Sequence, residues 1–171
     1  VAGPGLGSSS AAREWLEAAL PLEHALLLDA DALNLIAQDK ALLNLIRART
    51  SPTLITPHPG EAGRLLGEST ASVQADREGA IERLAQLTGA TVVLKGAGTL
   101  VKHPGATRWR NSTGNPGMAA PGMGDVLSGI IAALLAQGMT AGPAAQTGVW
   151  LHGAAADAAV AAGAGPVGLM A

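Results

Sequence analysis

Three short apolar runs, His24–Leu28, Thr53–Thr56 and Thr91–Leu94, recur along the chain, separated by longer stretches with helical periodicity. Continuous apolar runs this short suit strands buried on both faces; a strand with one wet face would alternate apolar and polar residues. Each run also stops abruptly. Leu28 leads into Asp29-Ala30-Asp31, Thr56 into Pro57-His58-Pro59-Gly60-Glu61, and Leu94 into Lys95-Gly96-Ala97-Gly98-Thr99. Polar groups at these positions lie at the carboxyl ends of the strands, where open α/β sheets place their ligands. The pattern predicts an α/β sandwich with a mainly parallel sheet, in one domain spanning residues 1–171.

The intervening stretches read as helices. Ser8 to Ser10 cap a helix over about Ala11–Leu20 with Trp15, Leu16, Ala19 and Leu20 inward, and Asp31 caps a helix from Ala32 to Ala37. Lys40 to Arg49 forms another. Pro57 and Pro59 stiffen the backbone on either side of His58, and Glu61 falls in the first turn of a helix that runs through Leu66 to Gly67. Ser72–Leu87, with Asp76, Arg77, Glu78, Glu82 and Arg83, reads as one solvated helix closed by Gly89. A last helix, Pro143 to about Ala161, is built almost wholly of Ala and Gly, so it is expected to pack closely on its neighbour with His152 in the core. The tail from Gly163 to Met170 reads as loop.

The stretch from Asn111 to Gly138 differs from the rest. A loop of Gly, Asn, Pro and Ala feeds an apolar helix that begins near Gly124-Asp125, with Val126, Leu127, Ile130, Ile131, Leu134 and Leu135 as its buried stripe. First-turn amides have no intrahelical acceptors, and the helix dipole adds positive charge, so such a junction attracts anions. Asp125 stands among those amides. An acid there also stabilises the helix start with no ligand present. Lys95 beside Gly96 and Gly98 is a second candidate: the glycines admit a phosphate and the ammonium neutralises it, although a plain strand-turn-strand has the same sequence and the spacing is not that of a P-loop.

Charge and composition narrow the function classes. A formal net charge of -2 argues against nucleic acid or anionic membrane as the main partner. The chain has no cysteine, which rules out a disulfide framework, a thiolate metal site and a cysteine nucleophile, and fits a reducing compartment such as the cytoplasm. Phe and Tyr are absent too, so an aromatic cradle for a base is hard to build.

Together the motifs resemble a known family. Gly3-Pro4-Gly5-Leu6-Gly7, Leu28 to Asn34 (LDADALN), Thr56 to Glu61 (TPHPGE), Val93 to Thr99 (VLKGAGT), Gly114 to Ala119 (GNPGMA) and Gly122 to Gly129 (GMGDVLSG) occur in this order in the ADP-dependent NAD(P)H-hydrate dehydratases, carbohydrate-kinase-like domains of the ribokinase-like superfamily. The resemblance implies a three-layer α/β/α sandwich that begins before Val1 and continues past Ala171, so the chain reads as a domain lacking N-terminal strands and a C-terminal helix. It also implies a repair reaction in which hydrated NAD(P)H is restored while ADP becomes AMP and phosphate.

Carried over residue by residue, the resemblance gives Asp125 as general base and Gly122, Met123, Gly124 and Asp125 as the hole for the transferring phosphoryl. Lys95, Gly96, Ala97, Gly98, Thr99 and Gly124 would bind nucleotide, and Gly5, His58 and Asp125 would contact the hydrated cofactor. It implies ADP as co-substrate, Mg²⁺ near the phosphates with no protein ligand cluster identified, and a homo-oligomer, a homotetramer among the options. Ala120-Pro121 departs from the family, which carries small residues there, commonly ending in Gly; proline removes an amide beside the hole. Two other readings compete. One is a vitamin-precursor kinase of the same superfamily, which shares the Gly-x-Gly-Asp helix start but is not expected to carry Thr-Pro-His-Pro-Gly-Glu. The other is a non-catalytic nucleotide-binding module.

Overall fold

A computed structural model describes residues 1–164 and 169–171. Helix α1 (Ser10–Ala19) starts on Ser9, whose Oγ accepts the Ala12 amide. Strand β1 (Leu26–Leu28) leads into α2 (Ala30–Gln38) and α3 (Lys40–Arg47), and β2 (Thr53–Ile55) into α4 (Pro59–Leu66). The pair α5 (Thr70–Ala75) and α6 (Arg77–Thr88) precedes β3 (Thr91–Leu94), β4 (Leu100–Lys102) and β5 (Trp109–Arg110); α7 (Met123–Ala136) and α8 (Ala141–Ala159) follow. The expected helix ends at Gly67 and Gly89 are present, both left-handed at φ 70°, a conformation glycine adopts without a Cβ penalty.

The strands lie in the order β1-β2-β3-β4-β5, the first three parallel and the last two antiparallel. Ala2 bridges Leu28 in parallel, so the first residues of the chain continue the sheet beyond β1. Strands of three or four residues form few ladder bonds, and burial on both faces stabilises them. Leu28, Ile55, Val92 and Leu94 face a core with α1–α6, whereas Leu27, Leu54 and Val93 face a second core with α7 and α8. Each fully buried aliphatic side chain contributes about 1.5–3 kcal/mol, more than a single ladder hydrogen bond. The result is the expected three-layer sandwich.

Several local expectations change. The helix after β1 is capped by Asp29 rather than Asp31, because Ala30 turns into the helix at φ 47°, a left-handed entry that pattern reading does not anticipate. The single helix expected over Ser72–Leu87 breaks at Asp76, whose Oδ1 accepts the Gly79 amide and starts α6 anew. Trp15, expected inward, is half-exposed, and so is Trp150 on α8. On α7, Leu127 and Ile131 are buried as expected, but Val126 is exposed, since only one side of the helix meets α8 and the sheet. Gly148 lets α8 sit against α7 as its Ala-Gly composition implies: a Cβ there would lie 2.6 Å from Cγ1 of Ile131. The tail expected as loop falls partly on residues 165–168, outside the described residues.

Candidate active site

The carboxyl ends of the parallel strands converge on one buried charge. Asp29, 1% exposed, accepts the Ala30 amide at Oδ1 (2.9 Å), the Lys95 ammonium at Oδ1 (2.8 Å) and the Ser128 hydroxyl at Oδ2 (2.7 Å). The end of β1, the end of β3 and the second turn of α7 therefore meet at one carboxylate. The backbone closes tightly around it. Gly3 is obligatory, since a Cβ there would lie 1.7 Å from the Asp29 carbonyl oxygen. Asp31 plays a different part, because its Oδ2 accepts the Gly7 amide (2.8 Å) and so ties the glycine loop that contains Gly5 to α2.

After β2, His58 serves as the N-cap of α4. Its Nδ1 accepts the Gly60 amide (2.9 Å), while Oε2 of Glu61 accepts the His58 amide (2.7 Å), a reciprocal capping box. Burial holds the His58 imidazole below its ordinary value of 6.5; Glu61 and Asp29 oppose the shift, and Lys95 and Arg64 add to it. A neutral ring with Nδ1 unprotonated is the form that caps. Glu61 is itself buried, and its Oε2 lies 3.9 Å from the Lys95 ammonium, so one ammonium lies between two buried carboxylates.

Behind Lys95 the turn is buttressed by Arg77, which donates to the carbonyls of Leu94 and Lys95 (3.2 Å each). A Cβ on Gly96 would meet that guanidinium at 2.8 Å. Across from this turn, α7 begins on Gly122 at φ 87° with no side-chain cap, whereas α1 to α6 are each capped by a side chain. The Gly124 and Asp125 amides have no acceptor among the described residues. The loop between β5 and α7 is strapped to α8: Asp157 accepts the Gly114 amide (2.7 Å) and the Asn115 side chain (2.9 Å), and Thr113 donates to the Trp150 carbonyl (3.0 Å). Those donors, the Gly114 amide foremost, hold the Asp157 carboxyl below its usual range.

Between turn, loop and helices lies a cavity of about 450 Å³. Lys95, Gly96, Ala97, Gly98 and Thr99 form one wall, Met123 and Gly124 another, and Leu127, Val149 and His152 lie along its apolar side. His152 is thus half-buried at the cavity rather than in the core, and burial lowers its pKa. The structure brings the expected nucleotide segment and Gly124 into one lining. Gly5, His58, Gly122 and Asp125 are outside that lining, on the same carboxyl edge of the sheet. Asp125 is exposed in the first turn of α7, and its carboxylate has no partner among the described residues.

Sequence pattern puts Asp29 and Glu61 at the ligand-bearing ends of the strands without giving them a role or a partner, and it does not assign Arg77, Ser128 or Asp157 to a site. Asp29 and Glu61 carry a signal, as acids at strand ends; the others act through long-range contacts that local pattern does not encode. Chemically, the site offers unsatisfied helix-start amides and an ammonium for an anion, an apolar cavity beside them, and an accessible carboxylate at the helix start.

A family model described as NAD(P)H-hydrate dehydratase matches residues 1–167. The chain is 50% identical over 160 residues to the ADP-dependent (S)-NAD(P)H-hydrate dehydratase of Neisseria meningitidis, covering 92% of this chain and 53% of that protein. It is 46% identical over 171 residues to the bifunctional NAD(P)H-hydrate repair enzyme of Coxiella burnetii, covering all of this chain and 33% of that protein. The chain thus spans from a third to about half the length of these curated relatives. Among solved structures, the ADP/ATP-dependent NAD(P)H-hydrate dehydratase of Bacillus subtilis, co-crystallized with ATP and Mg²⁺ and soaked with CoA, superposes with a TM-score of 0.79 at 30% identity, over 94% of this chain and 56% of that one. Adenosine kinase of Anopheles gambiae, 17% identical with a TM-score of 0.57, shares the fold.

Proposed function

The chain belongs to the NAD(P)H-hydrate dehydratase family, and on that premise we propose that it repairs hydrated NAD(P)H, converting ADP to AMP and phosphate as it does so. The observation that carries the reading is the meeting of the Lys95–Thr99 turn and the uncapped start of α7 on one cavity. Hydroxide is a poor leaving group. Phosphorylating the C6 hydroxyl of the hydrated nicotinamide converts it into phosphate, which the ring nitrogen's lone pair can then expel.

In this reading ADP lies along Lys95, Gly96, Ala97, Gly98 and Thr99 with its terminal phosphate toward Gly124. The amides of Gly122, Met123, Gly124 and Asp125 hold the transferring phosphoryl, and their dipole stabilises the charge that develops on it. Asp125 takes the proton from the attacking hydroxyl. Gly5 and His58 border the hydrated cofactor, and the capping box fixes His58 without needing its charge.

Mg²⁺ is placed here as a companion of the nucleotide phosphates, as a similar dehydratase was co-crystallized with ATP and Mg²⁺. When bound it would neutralise phosphate charge. We infer a homo-oligomer, a homotetramer among the options, working in a reducing compartment such as the cytoplasm, which a chain without cysteine fits. No helix of the described residues is long and apolar enough to cross a membrane.

The test is recovery of reduced-nicotinamide absorbance from NADH hydrate, with and without ADP. ADP-dependent recovery supports the reading. Phosphorylation of a hydroxymethylpyrimidine or hydroxyethylthiazole with no recovery would favour the kinase, and nucleotide binding without either reaction the non-catalytic module.

A further inference from the structure

We propose that Asp29 is a positioning residue for phosphoryl transfer, holding the Lys95 ammonium under the first turn of α7 while binding α7 itself through Ser128. The inference rests on the dehydratase reading for its kinetic consequence and on geometry for the rest. Lys95 has a flexible four-carbon stem, yet its Nζ is fixed 2.8 Å from Oδ1 of Asp29 and 3.2 Å from the point where a Cβ on Gly124 would stand. An ammonium has three donors, and its bond to Asp29 leaves others for a phosphate. The second carboxylate oxygen accepts Ser128 from the following turn of the same helix. One buried anion thereby fixes the spacing between the nucleotide wall and the helix-start amides, which no backbone hydrogen bond among the described residues links directly.

The local backbone supplies an independent reason to regard this as a built feature. Ala30, the residue after Asp29, is the sole non-glycine with positive φ among the described residues, and Gly3 is required where it passes the Asp29 carbonyl. A sharp and crowded turn that costs stability is retained at the point that aims this carboxylate. A cap alone does not call for it, since Asp29, Ser9 and Ser69 all cap from extended backbone, yet Ser10 and Thr70, which follow the two serine caps, have no positive φ.

The test compares Asp29→Asn, Lys95→Ala and the double variant with the parent enzyme in full-length protein. Asn keeps an acceptor for Ser128 or Ala30 but removes the anion that fixes Lys95. Turnover of NADH hydrate by Asp29→Asn should fall on the order of 10²-fold, the scale for misplacing a reacting group by about 1 Å, while ADP affinity by calorimetry stays within about threefold because the ammonium remains. The double variant should be no slower than Lys95→Ala alone, since Asp29 acts through Lys95. A multiplicative double variant, turnover of Asp29→Asn within about twofold of the parent, or loss of ADP affinity in step with turnover would each overturn the proposal.

A readout free of activity separates this from failure of the dehydratase reading. In protein with nitrogen-labelled lysine, the Lys95 ammonium protons should exchange slowly and be visible in the parent, and vanish in Asp29→Asn. If the parent does not turn over, the dehydratase reading fails, and this resonance decides whether Asp29 holds Lys95. Its persistence in Asp29→Asn overturns the proposal.

Discussion

Gly124 and Lys95 approach so closely that a Cβ at position 124 would stand 3.2 Å from the ammonium nitrogen, which Asp29 holds at 2.8 Å. Gly124→Ala thus sets two effects against each other. Alanine favours the helix by about 0.8–1.0 kcal/mol, and the methyl displaces Lys95 by a few tenths of an ångström. The melting temperature should therefore change little while turnover falls about 10-fold or more. A loss of melting temperature matching the loss of turnover would mean that Gly124 serves packing alone.

Removing the partner of a buried charge is more costly than removing both. Lys95→Ala leaves Asp29, 1% exposed, without its counterion, which costs about 3–5 kcal/mol at fully buried pairs and less here because Lys95 keeps 19% side-chain exposure. ADP affinity should fall by about 1–3 kcal/mol as a charge-assisted contact is lost. Adding Asp29→Asn should restore much of the stability but not the affinity. Denaturant melts and calorimetry of the two variants check both halves.

The pH dependence has a definite sign. Burial depresses the folded-state pKa of His58 below 6.5, so the unfolded chain binds the extra proton first. The cap's stability is fully present above about pH 6.5 and is lost as pH falls from there toward the depressed folded value. His152, shifted the same way by burial, adds to the slope. His58→Asn keeps an N-cap that does not titrate, so its melting temperature should decline less between pH 7 and pH 5 than the parent's. Equal slopes would remove His58 from the acid response.

Pro121 stands in the turn just before Gly122 and has no amide hydrogen to donate there. If an amide at that position helps hold the phosphoryl, Pro121→Gly restores it, and one such donor is worth on the order of 10²–10³ in rate. Turnover should rise in full-length protein, with stability level or slightly lower because glycine gains unfolded-state entropy. Turnover no faster than the parent's would restrict the hole to Gly122, Met123, Gly124 and Asp125.

The legible parts of the fold are those governed by local rules. The apolar runs become β1, β2 and β3 because their residues face a core on each side, and Gly67 and Gly89 end helices because they adopt positive φ. The helix start at Gly122–Asp125 is visible in its glycines. What sequence pattern does not carry are contacts made across the fold. Asp29 and Lys95 are 66 residues apart and Asp29 and Ser128 are 99 apart, so neither pairing leaves a local period. Pattern gives the cap to Asp31 and not to Asp29, because the left-handed Ala30 that starts the helix early runs against alanine's own preference. Asp76 is hidden in a run of mixed charges that reads equally well as one helix.

The proposed proton transfer turns on Asp125, whose carboxylate is exposed, unpartnered among the described residues, and set in the same first turn as the helix-start amides. The measurement is the ADP-dependent turnover of NADH hydrate by Asp125→Asn beside its ADP affinity and melting temperature. Loss of the general base predicts turnover lower by about 10²-fold or more with affinity and melting nearly unchanged. Turnover close to the parent's, in a folded variant that binds ADP normally, would contradict the assignment of the chemistry to this helix start.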